Sequence, residues 1–408
     1  MSRYQKLVIA ILGFLQFTII LDFIILSPLG AVLMPALHIT PAQFGMVVSG
    51  YAFSAGISGL LAAGFADRFD RKKLLLFFYS GFILGTLLCG LAPNFEVLLL
   101  ARIFTGVFGG VIGSIVFAIA TDLFAPEVRG RVMGTIQTAF AASQVLGLPL
   151  GLYLSNLWGW HAPFLMIVAG AVIAGFVIVR FLKPVDGHLK LKQDKNPLQH
   201  LLATVRTPRY LHAFATTALV STGGFMLMPF GSAYNVHNLG VTLEQLPIMY
   251  LITGTCSIIA GPYIGRAVDR YGGLRVFTTG SVITIMTTLI YARLGLTPFA
   301  GVAALSILLY LGVSARIIPL QAITSLIPDP ASRGAFMAVS SSIQQVAGGL
   351  ATMLGGLIVV PLANGGIGRF DVLGNVVVLA ALITLGLLYT IPAARRRPAA
   401  IRPGPAVN

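Results

Sequence analysis

Long apolar blocks separated by short polar punctuation run through the whole chain. Twelve blocks reach spanning length, approximately 7–34, 43–66, 74–92, 97–122, 132–154, 163–182, 210–235, 247–266, 276–292, 298–325, 335–361 and 374–393. A helix rising 1.5 Å per residue needs about 20 apolar residues to cross a hydrocarbon core of about 30 Å. The pattern therefore predicts an all-α membrane protein with twelve transmembrane helices. The longest polar segment, 183–209, mixes Lys, Asp, His and Pro and falls at the midpoint. It reads as a linker between an N-terminal six-helix half (1–182) and a C-terminal six-helix half (210–393), with 394–408 as a basic tail. The apolar stretch after Met1–Lys6 is longer than the roughly 7–15 residues of a signal-peptide core and has no clear small-residue cleavage site, so the first span is expected to be retained.

Composition agrees and removes alternatives. Of the 408 residues, 57% are hydrophobic and 10% charged, whereas a soluble domain carries roughly 25% charged residues. A soluble enzyme, a disordered chain and a secreted disulfide scaffold are excluded. Cys89 and Cys256 lie 167 positions apart inside apolar blocks, a spacing that suggests packing rather than a disulfide or a metal site.

A net charge of +15 would point to nucleic acid in a soluble chain, but its placement points elsewhere. With the N-terminus set in the cytoplasm, 23 of the 27 Lys and Arg fall on the cytoplasmic side. Arg293 and Arg369 alone fall on the other side, and Arg102 and Arg316 lie within spans. That bias follows the positive-inside rule and predicts two cytoplasmic termini, with the basic residues setting topology. Trp158 and Trp160, in the outer loop after the fifth span, are expected to be interfacial anchors.

The halves repeat each other. Ala63–Lys73 reads AGFADRFDRKK and Gly265–Arg275 reads GRAVDRYGGLR, with Asp67 and Asp269 separated by 202. Pro126–Met133 (PEVRGRVM) matches Pro330–Met337 (PASRGAFM) at a separation of 204. Six spans repeated in one orientation put a pseudo-two-fold axis along the membrane normal and a cavity between the halves, which is a transporter architecture.

On these residues the chain resembles the major facilitator superfamily. Its loop signature, approximately G-x-x-x-D-R-x-G-R-K, is matched by Asp67, Arg68, Arg71 and Lys72, with Ala63 and Asp70 at the glycine positions. The second copy keeps Gly265, Asp269, Arg270 and Gly272. Arg102–Gly110 is similar to the family's R-x-x-x-G pattern in the fourth span, through Arg102 and Gly106 with Gly110 beyond. Gly147, Pro149 and Gly151 resemble the glycine-proline motif associated with antiporters, in a shorter form. The continuation of the fifth span is similar to the bacterial sugar and drug efflux permeases. The resemblance implies a carrier of a bacterial inner membrane, working by alternating access, monomeric in the lipid bilayer and without a cofactor. It further implies that Asp67, Arg68, Arg71 and Asp122, with Asp269 and Arg270 in the second half, form a cytoplasmic latch; helix capping and positive-inside anchoring are the plainer reading of the same residues.

A charge at the centre of a spanning helix costs at least ~2.5–3.5 kcal/mol on insertion scales, so each one needs a reason. Asp22 lies about 24 Å beyond Lys6 along a helix, and Arg102 about 9 Å beyond Glu96 on a helix running back. The two depths agree, and a facing pair is expected. Asp22 would take up and release a proton while Arg102 tunes it, or the two would form an ion pair that only fixes helix packing. Either residue can also contact substrate directly. Arg316 has no evident acidic partner; it can meet an anionic or sugar-like substrate, or snorkel to the cytoplasmic side. Tyr234 and Asn235, at the polar end of a Met- and Phe-rich seventh span, are further candidate contacts, with a core role equally open. Gly106, Gly110, Gly147 and Gly151 read as close-packing positions and Pro149 as a bend.

The six histidines are scattered, and no HExxH, hydrolase grouping or phosphate-cradling loop is present. The chain is thus expected to be neither an enzyme nor a metal or nucleic-acid binder, and its energy must come from an ion gradient or from the substrate's own. The reading is proton-coupled export of a small organic molecule such as a drug or sugar. Symport or facilitated uptake of a small organic anion or sugar is the alternative, and a non-transporting membrane sensor the alternative of another class.

Overall fold

The computed structural model describes residues 2–62, 65–190, 204–329, 333–362 and 365–391; residues 191–203 of the midchain linker, and the basic tail, lie outside these residues. The chain is almost wholly helical. In the N-terminal half, α1 is Arg3–Leu37, α2 Pro41–Ala62, α3 Arg71–Gly90, α4 Phe95–Leu123, and α6 Ala162–Phe181. Between the last two, α5 runs from Pro126–Ala142 through a π-helical turn, Ser143–Gly147, into Leu148–Trp158. The C-terminal half holds α7 Pro208–His237, α8 Gln245–Tyr271, α9 Gly273–Tyr291, α10 Phe299–Ser325, α11 Arg333–Ile358 and α12 Phe370–Thr390. Among the described residues, eleven of these helices are long and apolar enough to cross a membrane. Residues Arg333–Ile358 have the length but carry Ser340, Ser341, Ser342, Gln344 and Gln345 within two turns.

Local chemistry explains where helices start. Asp70 accepts from the Lys73 amide at the head of α3, and Asn94 from the Val97 amide at the head of α4, each satisfying an otherwise orphaned N–H. Thr40 and Gln43 cap α2 reciprocally, and Thr242 and Gln245 do the same for α8. The two boxes are 202 positions apart, the separation of Asp67 and Asp269, so the repeat extends to these capping turns. Inside the helices, hydroxyls turn back on their own backbone. Thr18, Ser54, Thr105, Thr253, Thr284 and Thr324 all donate to a carbonyl three or four residues earlier, the partner available to a hydroxyl in an apolar surround.

The π turn is the main departure from a regular fifth helix. Pro149 has no N–H to give to the carbonyl four residues back, and its ring crowds that turn. The wider turn immediately before it absorbs the mismatch. Trp160 also departs from expectation. It is 4% exposed and packs its ring against His161 and Phe164, whereas Trp158 is 71% exposed. Trp158 alone occupies an anchor position; Trp160 is a core residue, held where the chain doubles back from α5 to α6.

The two halves meet on the face opposite the chain termini. There Ser232 donates to the Ser27 carbonyl at 3.2 Å between α7 and α1, and Asn156 to the Leu243 carbonyl at 2.8 Å between α5 and the loop before α8. A two-stranded hairpin, β1 Val360–Pro361 and β2 Ile367–Gly368, lies on the same face and is pinned by Asn238 through two hydrogen bonds to Ile367. Along α2 and α11, glycines make the seam close: a Cβ on Gly356 would sit 2.8 Å from the Pro41 carbonyl, and one on Gly56 3.1 Å from that of Ser342. The contact of α5 with α8 is shorter. It reaches Gly254 against Gln144 and Val145, and beyond it Gly130, Gly134, Gly261 and Gly265 have no neighbouring atom within 4 Å of a built Cβ. Gln137 and Thr138 of α5 and Tyr263 of α8 are exposed on this stretch. The bundle is closed on the face away from the termini and open between α5 and α8 on the face that carries them.

Candidate functional site

The N-terminal half closes around one buried ion pair. The Arg102 Nη1 donates to Asp22 Oδ2 at 2.8 Å and approaches the Asp22 backbone carbonyl at 3.3 Å. Thr86 donates to the other carboxylate oxygen at 3.1 Å. The guanidinium carbon lies 4.4 Å from the centroid of the Tyr51 ring, so the cation is held by an anion at its edge and a π face. Asp22 is 0% exposed and Arg102 1%. Four helices supply the four side chains: α1 Asp22, α2 Tyr51, α3 Thr86 and α4 Arg102. The expected pair is formed, and it is sealed inside the half rather than lining the gap, so neither residue touches the cavity in this conformation.

Close helix approach makes this enclosure possible. A Cβ on Gly106 would be 2.5 Å from the Tyr51 carbonyl oxygen, and one on Gly110 would collide with the backbone of Ala55. Both glycines of α4 therefore press on α2 beside Tyr51. Gly147 and Gly151 of α5 press on α1: their Cβ atoms would meet Leu21 at 2.6 Å and Ile25 at 2.7 Å. Ser143, at the head of the π turn, donates to the Phe17 carbonyl at 3.1 Å. The irregular stretch of α5, with Pro149 just beyond it, thus grips α1 on both sides of Asp22, and through Gln144 and Val145 it also touches Gly254 of the other half.

Of the residues expected in the latch, Arg71 and Asp122 are paired. Arg71 Nε meets Asp122 Oδ2 at 3.2 Å, and Arg71 Nη1 donates to the Ala66 carbonyl at 3.0 Å. These contacts tie the head of α3 and the C-terminal end of α4 to the short helical turn Ala66–Arg68. The side chain of Asp67 lies outside the described residues; Arg68 is exposed. Asp269 and Arg270 are exposed at the end of α8, where Arg270 lies over the Tyr271 ring, and among the described residues they join no matching cluster. The sequence explains the difference. At the repeat separations the counterparts of Arg71 and Asp122 are Gly273 and Leu326, which cannot form an ion pair.

Two other expectations resolve differently. Tyr234 and Asn235 are each 3% exposed. Tyr234 donates to the Leu294 carbonyl at 2.9 Å and stacks on Phe370 with centroids 3.9 Å apart. Asn235 accepts from the Tyr291 hydroxyl at 2.7 Å. Their polar groups are satisfied within the C-terminal half, so they hold α7, α9 and α12 together and do not face the gap. Arg316, by contrast, keeps its isolation: it is 2% exposed, no acidic group among the described residues is paired with it, and its guanidinium lies over the Phe277 ring at 5.5 Å. It is buried rather than snorkelling to an aqueous face.

Sequence reasoning missed Thr86, Tyr51 and the π turn. Thr86 left a usable signal: it stands in an apolar block 202 positions before Thr288, so both halves keep a threonine there. Tyr51 left none, since a tyrosine in a helix is ordinarily core.

A paired helical bundle, open on one face and carrying charges inside membrane-spanning helices, has the architecture of a membrane transporter rather than of an enzyme. The family model of the Major Facilitator Superfamily matches residues 12–352 and 213–407. The chain belongs to that superfamily. It is 27% identical over 270 residues, 66% of its length and 68% of the other's, to the uncharacterized MFS-type transporter YceJ of Bacillus subtilis (strain 168). Its fold is similar to that of a bacterial homologue of the human lysosomal transporter Spinster in an inward-facing, occupied conformation, with a TM-score of 0.76 at 15% identity, covering 98% of this chain and 100% of that one. It is similar also to the nucleoside transporter NupG (TM-score 0.76, 15% identity, 96% and 100% covered) and to a POT family transporter in complex with a thioalcohol-conjugated peptide (0.75, 13%, 94% and 96%).

Proposed function

We propose that this chain is a twelve-helix carrier of a bacterial inner membrane, with both termini cytoplasmic, that exports a small organic molecule in exchange for protons. Arg333–Ile358 then counts as the twelfth span, with Ser342 and Gln345 packed against Gly56 of α2. With the termini inside, the observed opening between α5 and α8 faces the cytoplasm. The latch of Arg71 and Asp122, together with Asp67, closes that face when the halves rock.

The observation that carries the reading is the placement of Asp22. A carboxylate bonded to one guanidinium and one hydroxyl, in an otherwise apolar bundle, is balanced only while charged. Protonation removes the partner of Arg102 and loosens α1 from α3 and α4. Because the π turn of α5 grips α1 at Leu21 and Ile25 and touches α8 at Gly254, movement of α1 reaches the seam between the halves through packed side chains. Exchange, rather than symport, is favoured by the Gly147–Gly151 stretch that makes this grip. Each proton entering down a 100 mV potential supplies ~2.3 kcal/mol.

Flux into proteoliposomes under an imposed pH gradient tests the proposal, using lipophilic cations, sugars and weak organic acids as the panel. Gradient-driven movement by the wild type, lost in Asp22→Asn with exchange preserved, is the expected result. Full gradient-driven movement in Asp22→Asn would leave the pair as a packing device and the protein as a carrier coupled elsewhere or not at all.

A further inference from the structure

Among the described residues, Arg316 is the one buried cation of the C-terminal half, and the coupling scheme leaves it unused. It sits nine residues before the end of α10 at Ser325, about 14 Å into the membrane along the helix, near the midplane where carriers of this architecture bind substrate. Two of its nitrogens, Nε and Nη2, are buried without a hydrogen-bond partner. They are the two that form one edge of the guanidinium, with parallel N–H bonds spaced to take both oxygens of a carboxylate. Arg102, for comparison, has one orphaned nitrogen and spends Nη1 on Asp22. An unpaired charge inside a membrane protein is destabilising, and the native fold keeps this one with its bidentate edge free.

The surroundings supply an entrance and apolar walls. A Cβ on Gly223 of α7 would lie 3.5 Å from Arg316 Nη1 and 3.8 Å from Val377, whereas one on the next residue, Gly224, would meet nothing within 4 Å. Two consecutive glycines thus leave α7 without side chains beside the guanidinium, with open space at the Gly224 position. Phe277 lies beneath the cation, and Ser281, one turn further along α9, has a buried hydroxyl with no partner.

We propose that Arg316 binds the carboxylate of a small organic anion, entering past Gly223 and Gly224, and that this is the substrate subsite of the C-terminal half. The inference rests on the reading of the chain as a carrier of small organic molecules and names the class of molecule carried. Nε and Nη2 take the two carboxylate oxygens, Ser281 stands ready as a further donor, and Phe277 and Val377 line the space for an apolar body.

Thermal unfolding of the full-length protein in nanodiscs of neutral lipid, so that no lipid head group supplies the anion, tests it. The probes are acetate, benzoate and phenylacetate, with benzyl alcohol and benzylamine as neutral and cationic counterparts. Saturable stabilisation by at least one carboxylate, and none by the alcohol or the amine, is expected for the wild type. Arg316→Met should unfold at a higher temperature than the wild type without ligand, because an orphaned charge has gone, and should lose the carboxylate response. Arg316→Lys, which keeps charge but not the fork, should bind at least about tenfold more weakly. Should Arg316→Met not fold, Gly223→Leu, which fills the entrance and leaves the arginine, should lose the response instead. No stabilisation by any carboxylate, an equal response to the amine, or a response that survives Arg316→Met or Gly223→Leu would overturn the proposal. So would a loss of unliganded stability in a folded Arg316→Met, the mark of a structural arginine. Carboxylate binding that survives in Asp22→Asn without gradient-driven flux in either protein would refute the coupling scheme and leave this site standing.

Discussion

The two halves share a fold and differ in how they treat buried charge. In the N-terminal half Arg102 is matched by Asp22, supported by Thr86 and covered by Tyr51. In the C-terminal half the counterpart of Arg102 at the 204 separation is Ser306, and the residue fifteen before the end of α7, as Asp22 is fifteen before the end of α1, is Thr222. The pair has been replaced by neutral residues, and the buried arginine of that half, Arg316, stands ten positions further along α10 with no anion among the described residues. A charge with an internal partner can be switched by protonation but has little left for a ligand. One with a free bidentate edge can bind an anion but holds nothing together. The repeat thus supplies two scaffolds of the same shape, and under the proposed function the difference in charge assigns coupling to one and substrate to the other.

The comparison can be broken most forcefully at the pair itself. Arg102→Met leaves Asp22 buried without its cation and should cost about 3–5 kcal/mol of stability, while the double variant Asp22→Leu with Arg102→Met should recover most of that. A thermal denaturation cycle checks it, and simple additivity of the two single variants would deny the coupling between them. A second break lies at Gly106, whose counterpart in the C-terminal half is Tyr310. Gly106→Leu drives a side chain into the α2 backbone and should destabilise by about 1–3 kcal/mol or more, whereas Gly261→Leu, at a position with open space around its Cβ, should be nearly neutral in the same melt. Next in size is Asn238→Ala, which removes both bonds to Ile367 and should cost about 1–3 kcal/mol in total. It should also speed amide exchange in the hairpin. The smallest effect on stability belongs to Asp122→Ala, since exposed or half-exposed ion pairs contribute about 0.2–1 kcal/mol. Its effect should instead appear as altered labelling of single cysteines on the two faces, and unchanged labelling would remove the latch.

Much of this organisation is legible from the residues. Helices form where apolar blocks exceed a bilayer's thickness, so block lengths place all of the long helices within a few residues. Asp22 and Arg102 are legible as a pair because a lone charge in a membrane is costly and helix rise converts sequence separation into depth. The failures have physical causes too. Tyr234 and Asn235 look like cavity residues in sequence because they are polar at the end of an apolar helix. Their partners, the Leu294 carbonyl and Tyr291, come from the α9 end of the bundle, and no local pattern shows which face of α7 turns toward them. Trp160 was misplaced for the same reason: two residues from Trp158 on a loop, it differs only in which way the chain folds back. The π turn is a response to Pro149, whose presence announces a disturbed helix without saying how it is resolved. The loop repeat of Asp67 and Asp269 suggests symmetry of role, but the Arg71–Asp122 ion pair beside the first copy has no counterpart beside the second, where Gly273 and Leu326 stand.

The claim that coupling and substrate recognition occupy separate halves is tested most directly by comparing two kinds of flux in three proteins. Wild type, Asp22→Asn and Arg316→Lys would be placed in proteoliposomes with a carboxylate that stabilises the wild type, and both gradient-driven movement and equilibrium exchange measured. Asp22→Asn should lose gradient-driven movement and keep exchange, while Arg316→Lys should need a higher substrate concentration for both. Loss of the same activity to the same degree in the two variants would contradict the division and return both residues to a single site.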